Sequence, residues 1–93
     1  MKQFKEGLTT AVFTTKFVIE DNTPITLIFH YNDGSWQFSG DQENLEDSDY
    51  KVISLNQAIE LDNTITEVSD MPIGYIAYRN TKKDSWKVEP LVE

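Results

Sequence analysis

The chain contains no cysteine and a single histidine, His30. The missing thiols exclude disulfides, thiolate metal sites and a cysteine nucleophile, and a lone imidazole excludes a zinc site built on several histidines. His30 falls in the middle of a predicted strand, which favours a structural or surface histidine over a general base. We therefore expect no catalytic residue and no metal site. The lack of cysteine is also typical of a reducing, cytoplasmic location.

Long apolar runs and glycine-rich loops are missing as well. No stretch approaches the roughly 18 apolar residues of a membrane span, and residues 1–8 lack the apolar segment of a signal peptide. The four glycines stand apart along the chain, so no phosphate-binding loop is present. The sequence thus predicts a soluble protein with no nucleotide or other cofactor.

Basic residues are scarce, because eight Lys and Arg stand against sixteen Asp and Glu, for a formal net charge of −8. This charge repels nucleic acid and anionic membranes and favours a protein partner with a basic surface, although solubility alone would also explain it. A length of 93 residues and a hydrophobic content of 39% are typical of one folded domain. We expect a single domain over 1–93, with residues 1–8 as a loose lead-in.

The most regular pattern lies at residues 25–41, which we interpret as a β-hairpin. Its predicted loop is Asp33-Gly34, because the two central residues of a type I′ turn need positive φ angles. Such a turn would place Tyr31 opposite Trp36. One face would then carry an apolar set and the other a polar set: Leu27, Phe29, Tyr31, Trp36 and Phe38 against His30, Gln37 and Ser39.

The remaining segments predict further strands and one helical region. Alternation over residues 9–20 indicates a long or bent first strand that joins the hairpin in a three-stranded meander. Ser54 and Gln57 form a capping-box pattern for a short helix that ends near Leu61.

Two further patterns complete the predicted fold. Thr64 and Glu67 repeat the capping signature, and a second hairpin follows over residues 73–89 with a polar tip at 80–84. This order predicts an α+β fold. Its antiparallel sheet would consist of the N-terminal meander and the C-terminal hairpin, with the short helical region packed on one face.

Residues 41–49 carry five acidic side chains in nine positions and indicate a solvated loop. They do not match a calcium-binding loop, and catalytic carboxylate pairs usually lie on a rigid sheet beside a cleft. A dense negative charge does, however, steer a basic partner and raise its association rate. The sequence therefore predicts a partner-binding patch, the acidic segment, made of Asp41, Glu43, Glu46, Asp47 and Asp49.

Several short motifs follow one another in a distinctive order. They are Gly34 to Asp41 (GSWQFSGD), the acidic segment, Ser54-Leu55 opening a helix, Met71 to Arg79 (MPIGYIAYR) and Trp86-Lys87-Val88. In this order they resemble the immunity-protein family numbered thirty-three, first described as a bacterial domain of unknown function. The resemblance spans residues 10–88. It implies a cytoplasmic protein, without chemistry of its own, that binds and blocks a cognate toxin domain.

Two other functions stay open at this point. One is an interaction or regulatory module without an immunity role, either a monomer or a homodimer joined through an exposed sheet edge. The other is a carboxylate enzyme, which would need a buried carboxylate pair in a cleft.

Overall fold

The computed structural model describes residues 3–91, so Met1 and Lys2 of the predicted lead-in lie outside the described residues. The strands are β1 (Ala11–Thr15), β2 (Leu27–His30), β3 (Trp36–Ser39), β4 (Tyr50–Ser54), β5 (Tyr75–Tyr78) and β6 (Lys87–Pro90). The helices are α1 (Lys16–Glu20) and α2 (Leu55–Leu61), with 3₁₀ helices at Asp47–Asp49 and Asn63–Val68.

The strands form one mixed sheet in the order β4-β1-β3-β2-β5-β6. β1 pairs parallel with β3 and antiparallel with β4, and the other neighbours are antiparallel. The predicted α+β class is confirmed, and so is the pairing of β5 with β6 in a C-terminal hairpin. The purely antiparallel sheet and the N-terminal meander are wrong, because β1 does not lie beside β2.

The hairpin at residues 25–41 has a loop one residue longer than predicted. The Tyr31 N–H donates to the Ser35 carbonyl over 2.9 Å, which encloses a three-residue loop. Gly34, at φ 92°, takes the left-handed conformation that closes such a loop. The two-residue type I′ turn is therefore wrong.

This longer loop shifts the register of β2 against β3. His30 pairs with Trp36, and Phe29 pairs with Gln37. Because side chains alternate along a strand, a shift of one residue turns Trp36 and Phe38 to the face opposite Phe29. The predicted division into apolar and polar faces is accordingly wrong.

The helix after β4 follows its capping signal. The Ser54 hydroxyl accepts from the Gln57 N–H over 3.1 Å, and the Gln57 side chain accepts from the Ser54 N–H over 3.0 Å. The predicted box and the end of α2 at Leu61 are confirmed. The next helical turn is also present, but Asp62 caps it by accepting from the Thr64 N–H over 3.0 Å.

The first strand is shorter than predicted, because the chain turns into α1 after Thr15. The Thr15 hydroxyl accepts from the Val18 N–H over 3.4 Å and so caps this helix. Val18 is buried in the core. α1 then leads the chain past β3 to β2, the crossing that a parallel β1–β3 pair requires.

The core lies on one face of the sheet, the covered face, where α1, α2 and the 63–68 helix pack against the strands. Strand residues of this cluster are Val12, Ile28, Trp36, Phe38 and Ala77, and helical ones include Val18, Leu55, Ala58, Ile65 and Val68. Phe4 also belongs to it and meets Trp36 edge to face at 5.0 Å. The lead-in is therefore packed, not loose, at Phe4.

A buried ion pair ties the end of α2 to the end of β5. Arg79 Nη2 lies 2.9 Å from Asp62 Oδ2, and both side chains are almost fully buried. Arg79 also donates to the Ile25 carbonyl and lies over the Trp86 ring at 3.9 Å. These contacts satisfy charges that would otherwise be costly to bury.

Candidate contact surfaces

The acidic segment lies at one end of the sheet, where the chain leaves β3 and enters β4. Its members Asp41, Glu43, Glu46 and Asp47 are exposed, and Asp49 is half-buried. Asn44, at φ 58°, turns the backbone within the segment. The structure thus places the predicted patch in solvent, next to Tyr50 at the start of β4.

Asp49 differs from the other members because it holds the local fold. Its carboxylate accepts from the Glu46 N–H over 2.9 Å and lies 3.1 Å from Lys16 Nζ. The Glu46 N–H first, and Lys16 second, lower the pKa of Asp49 below its ordinary value. Lys16 also offsets part of the charge of Asp49. The negative electrostatic field that a partner would meet therefore comes mainly from Asp41, Glu43, Glu46 and Asp47.

The face of the sheet opposite the covered face, here called the open face, carries a row of cross-strand neighbours. Paired residues share a face, so the register places them side by side across five strands. This central row is Val52, Phe13, Gln37, Phe29 and Ile76, in the order β4-β1-β3-β2-β5. Val52 is 62% and Phe13 39% exposed. Sequence reasoning missed this surface because the register shift creates it.

Aromatic contacts support the middle of the open face. The rings of Phe29 and Tyr31 stack with centroids 5.4 Å apart, and the Tyr31 hydroxyl donates to Gln37 Oε1 over 3.1 Å. Partial burial raises the pKa of Tyr31. Gln37 is recessed beneath its neighbours, with only 9% of its surface exposed.

A cleft of about 640 Å³ opens beside the lead-in and includes Glu6, His30, Ser69 and Met71 in its lining. His30 is buried there, and its Nδ1 lies 2.8 Å from the Met71 carbonyl. Because a carbonyl oxygen only accepts, Nδ1 carries a proton. His30 is therefore tied into the core, which agrees with a structural histidine but not with the predicted polar face.

Carboxylates and other metal-binding groups do not gather elsewhere in the described chain. Within residues 3–91 no cluster of three or more His, Asp or Glu side chains could hold a metal ion. The buried carboxylate of this range is Asp62, whose partner is Arg79. No helix within residues 3–91 is both long enough and apolar enough to cross a membrane.

Comparison with protein-family profiles, with curated proteins and with solved structures gives no significant match in any of the three.

Proposed function

We propose that this chain is a non-enzymatic binding protein that attracts a basic protein surface through the acidic segment. The observation that carries the proposal is the exposure of Asp41, Glu43, Glu46 and Asp47 together at one end of the sheet. Such a cluster focuses a negative field and accelerates encounter with a positively charged partner. The overall charge of −8 acts in the same direction.

The more specific form of the proposal is a bacterial immunity protein that occludes a toxin domain. The motif order from Gly34 to Val88 and its resemblance to an immunity-protein family support this form. If the toxin is a nuclease, the carboxylates would occupy the basic cleft that normally receives phosphates. Inhibition would then come from occlusion and would need no chemistry by this chain.

The test is co-expression with the product of the adjacent gene, followed by size-exclusion chromatography and association kinetics at low and high salt. We expect a complex that weakens as salt rises, because salt screens attraction between opposite charges. Neutralising the acidic segment with Asn and Gln should slow association and flatten its salt dependence.

A matched control keeps the same change in net charge away from the segment. It neutralises five exposed acids elsewhere: Glu20, Asp21, Glu60, Asp84 and Glu89. If association slowed equally in both variants, the rate would depend only on the net charge of the chain. The acidic segment would then not be the contact. Absence of any complex would overturn the toxin-blocking function.

A further inference from the structure

In the central row of the open face, the order of side-chain types is nearly the same from either end. From β4 to β5 it runs aliphatic, aromatic, amide, aromatic, aliphatic: Val52, Phe13, Gln37, Phe29, Ile76. Its midpoint is Gln37 in β3. A half-turn about an axis parallel to β3 would therefore lay Val52 of one copy on Ile76 of a second copy, and Phe13 on Phe29.

The row beside it repeats this symmetry at its two ends. Tyr50 in β4 pairs with Thr15 of β1, and Tyr78 in β5 pairs with Leu27 of β2. The same half-turn would bring Tyr50 of one copy over Tyr78 of the other. The central row and the two ends of its neighbour thus face like side chains under one rotation, which makes this surface self-complementary, as a two-fold interface is. The middle of the second row, Thr15 and Ser39, is buried.

The charged side chains of the open face lie outside the two rows. The two rows carry uncharged side chains on all five strands from β4 to β5. The open-face charges Lys87 and Glu89 lie on β6, the sixth strand, which has no counterpart under the half-turn and overhangs the edge of the second copy. The acidic segment lies at the end of the sheet next to Tyr50, and the half-turn keeps each residue's position along β3. The acidic segments of the two copies therefore lie at the same end of the dimer, where their like charges repel each other.

We propose that two copies of this chain associate face to face through the central row, as two sheets stacked about 10 Å apart. The five overlapping strands, spaced about 4.8 Å apart and about 15 Å long, give a shared face of roughly 360 Å² in projection. An interface of this size belongs to the weak, dissociating class. We therefore expect the dimer to dissociate on dilution, with both acidic segments outside the stacked rows.

Sedimentation equilibrium over a concentration series, at low and high salt, tests this association directly. The dimer should tighten with salt, because each copy carries a charge of −8 and salt screens their repulsion. A complex with a basic partner has the opposite salt dependence, so failure of the dimer and failure of the proposed function are distinguishable. A monomer at every concentration and salt overturns the dimer and leaves the function untouched.

Three variants locate the interface. Val52→Glu should raise the dimer dissociation constant at least about tenfold, a loss of about 1.4 kcal/mol. Val88→Glu, a second strand valine that is 48% exposed but lies on β6, is the matched control and should leave it unchanged. Circular dichroism confirms that each variant is folded. Equal effects of the two substitutions would overturn the central row as the interface.

The decisive variant adds Ile76→Lys to Val52→Glu. The half-turn places residue 52 of each copy against residue 76 of the other, so the double variant forms two ion pairs and should regain most of the lost affinity. Position 76 also lies beside Glu89 in its own chain, so a lysine introduced there has an acidic neighbour, which favours folding. A double variant as monomeric as Val52→Glu would overturn the two-fold geometry.

Discussion

The imidazole of His30 stacks on the indole of Trp36, with ring centroids 3.7 Å apart and planes 12° from parallel. The two residues pair across β2 and β3 and lie on the covered face. Glu6 meets both rings, because its Oε2 accepts from Trp36 Nε1 over 2.9 Å and lies 4.0 Å from His30 Nε2. The lead-in is thereby anchored to the centre of the sheet.

Removing this anchor should loosen the lead-in. Glu6→Ala leaves the Trp36 indole N–H without its acceptor, so we expect a loss of about 1–3 kcal/mol in the free energy of unfolding. Glu6→Gln keeps an acceptor oxygen and should lose less. Urea unfolding followed by tryptophan fluorescence measures both, and Lys5→Ala, at an exposed neighbouring position, is the control. Equal midpoints for Glu6→Ala and Lys5→Ala would contradict the anchor.

The three-residue loop makes a prediction about Gly34. A Cβ at this position meets no atom within 4 Å, so substitution costs only the positive φ of 92°. Gly34→Ala should destabilise the chain by about 1 kcal/mol, and Gly34→Asn by less, because asparagine tolerates the left-handed region. Gly7→Ala is the control, since Thr10 Oγ1 lies at an ordinary 4.0 Å from its added Cβ. Thermal unfolding measures both variants. If Gly34→Ala and Gly34→Asn were equally stable, backbone strain at the positive φ angle would not be the cause of the loss.

The Asp62–Arg79 pair should contribute strongly because it is buried. Asp62→Asn leaves the guanidinium without its counter-charge, and loss of one member of such a pair costs about 3–5 kcal/mol. Asp84→Asn, at an exposed acidic position, is the control. Equilibrium unfolding in urea compares them. If Arg79→Met is added to Asp62→Asn, the double variant should lose less than the two single losses combined. Strict additivity would rule out coupling between the two side chains.

Asp49 gives a prediction about pH. Its pKa is lowered in the folded chain, so its contribution to stability is complete above the unfolded value of about 3.9 and is lost as the pH falls through the lowered value. Lys16→Met should raise the pKa of Asp49 only part of the way back to its ordinary value, because the Glu46 N–H still donates to the carboxylate. Carboxyl NMR titration measures this change.

The same spectra contain an internal control for that titration. Ser35 lowers the pKa of Asp33 through its hydroxyl and its N–H, a site independent of Lys16. The pKa of Asp33 should therefore not move in Lys16→Met. An unchanged Asp49 pKa would mean that Lys16 does not pair with it in solution.

The features that sequence reasoning predicted correctly are set by neighbouring residues. The α2 capping box needs only Ser54 and Gln57, and the β5–β6 hairpin needs two strands joined by a polar tip. The acidic segment was located for the same reason, since its charge density is a property of nine consecutive positions. Its role as a contact stays a prediction.

The features that sequence reasoning missed depend on distant residues or on one extra loop residue. Asp33 and Gly34 alone can form a two-residue loop, and together with Asn32 they can form a three-residue loop. Only the packing of Trp36 on the covered face decides between the two. The parallel β1–β3 pair and the burial of Phe4 against Trp36 involve contacts that no local pattern encodes. The open face followed from that register and was therefore missed too.

The position of β1 between β3 and β4 also fixes an order of events during synthesis. β1 leaves the ribosome before the other five strands of this sheet, so both of its hydrogen-bonding neighbours are translated later. The β2–β3 hairpin closes through a short loop and needs no earlier strand, whereas β1 must wait for β3 and then for β4. Until β4 has also emerged from the ribosome, one edge of β1 therefore stays unpaired, and an unpaired strand edge can bind chaperones or other unfolded chains.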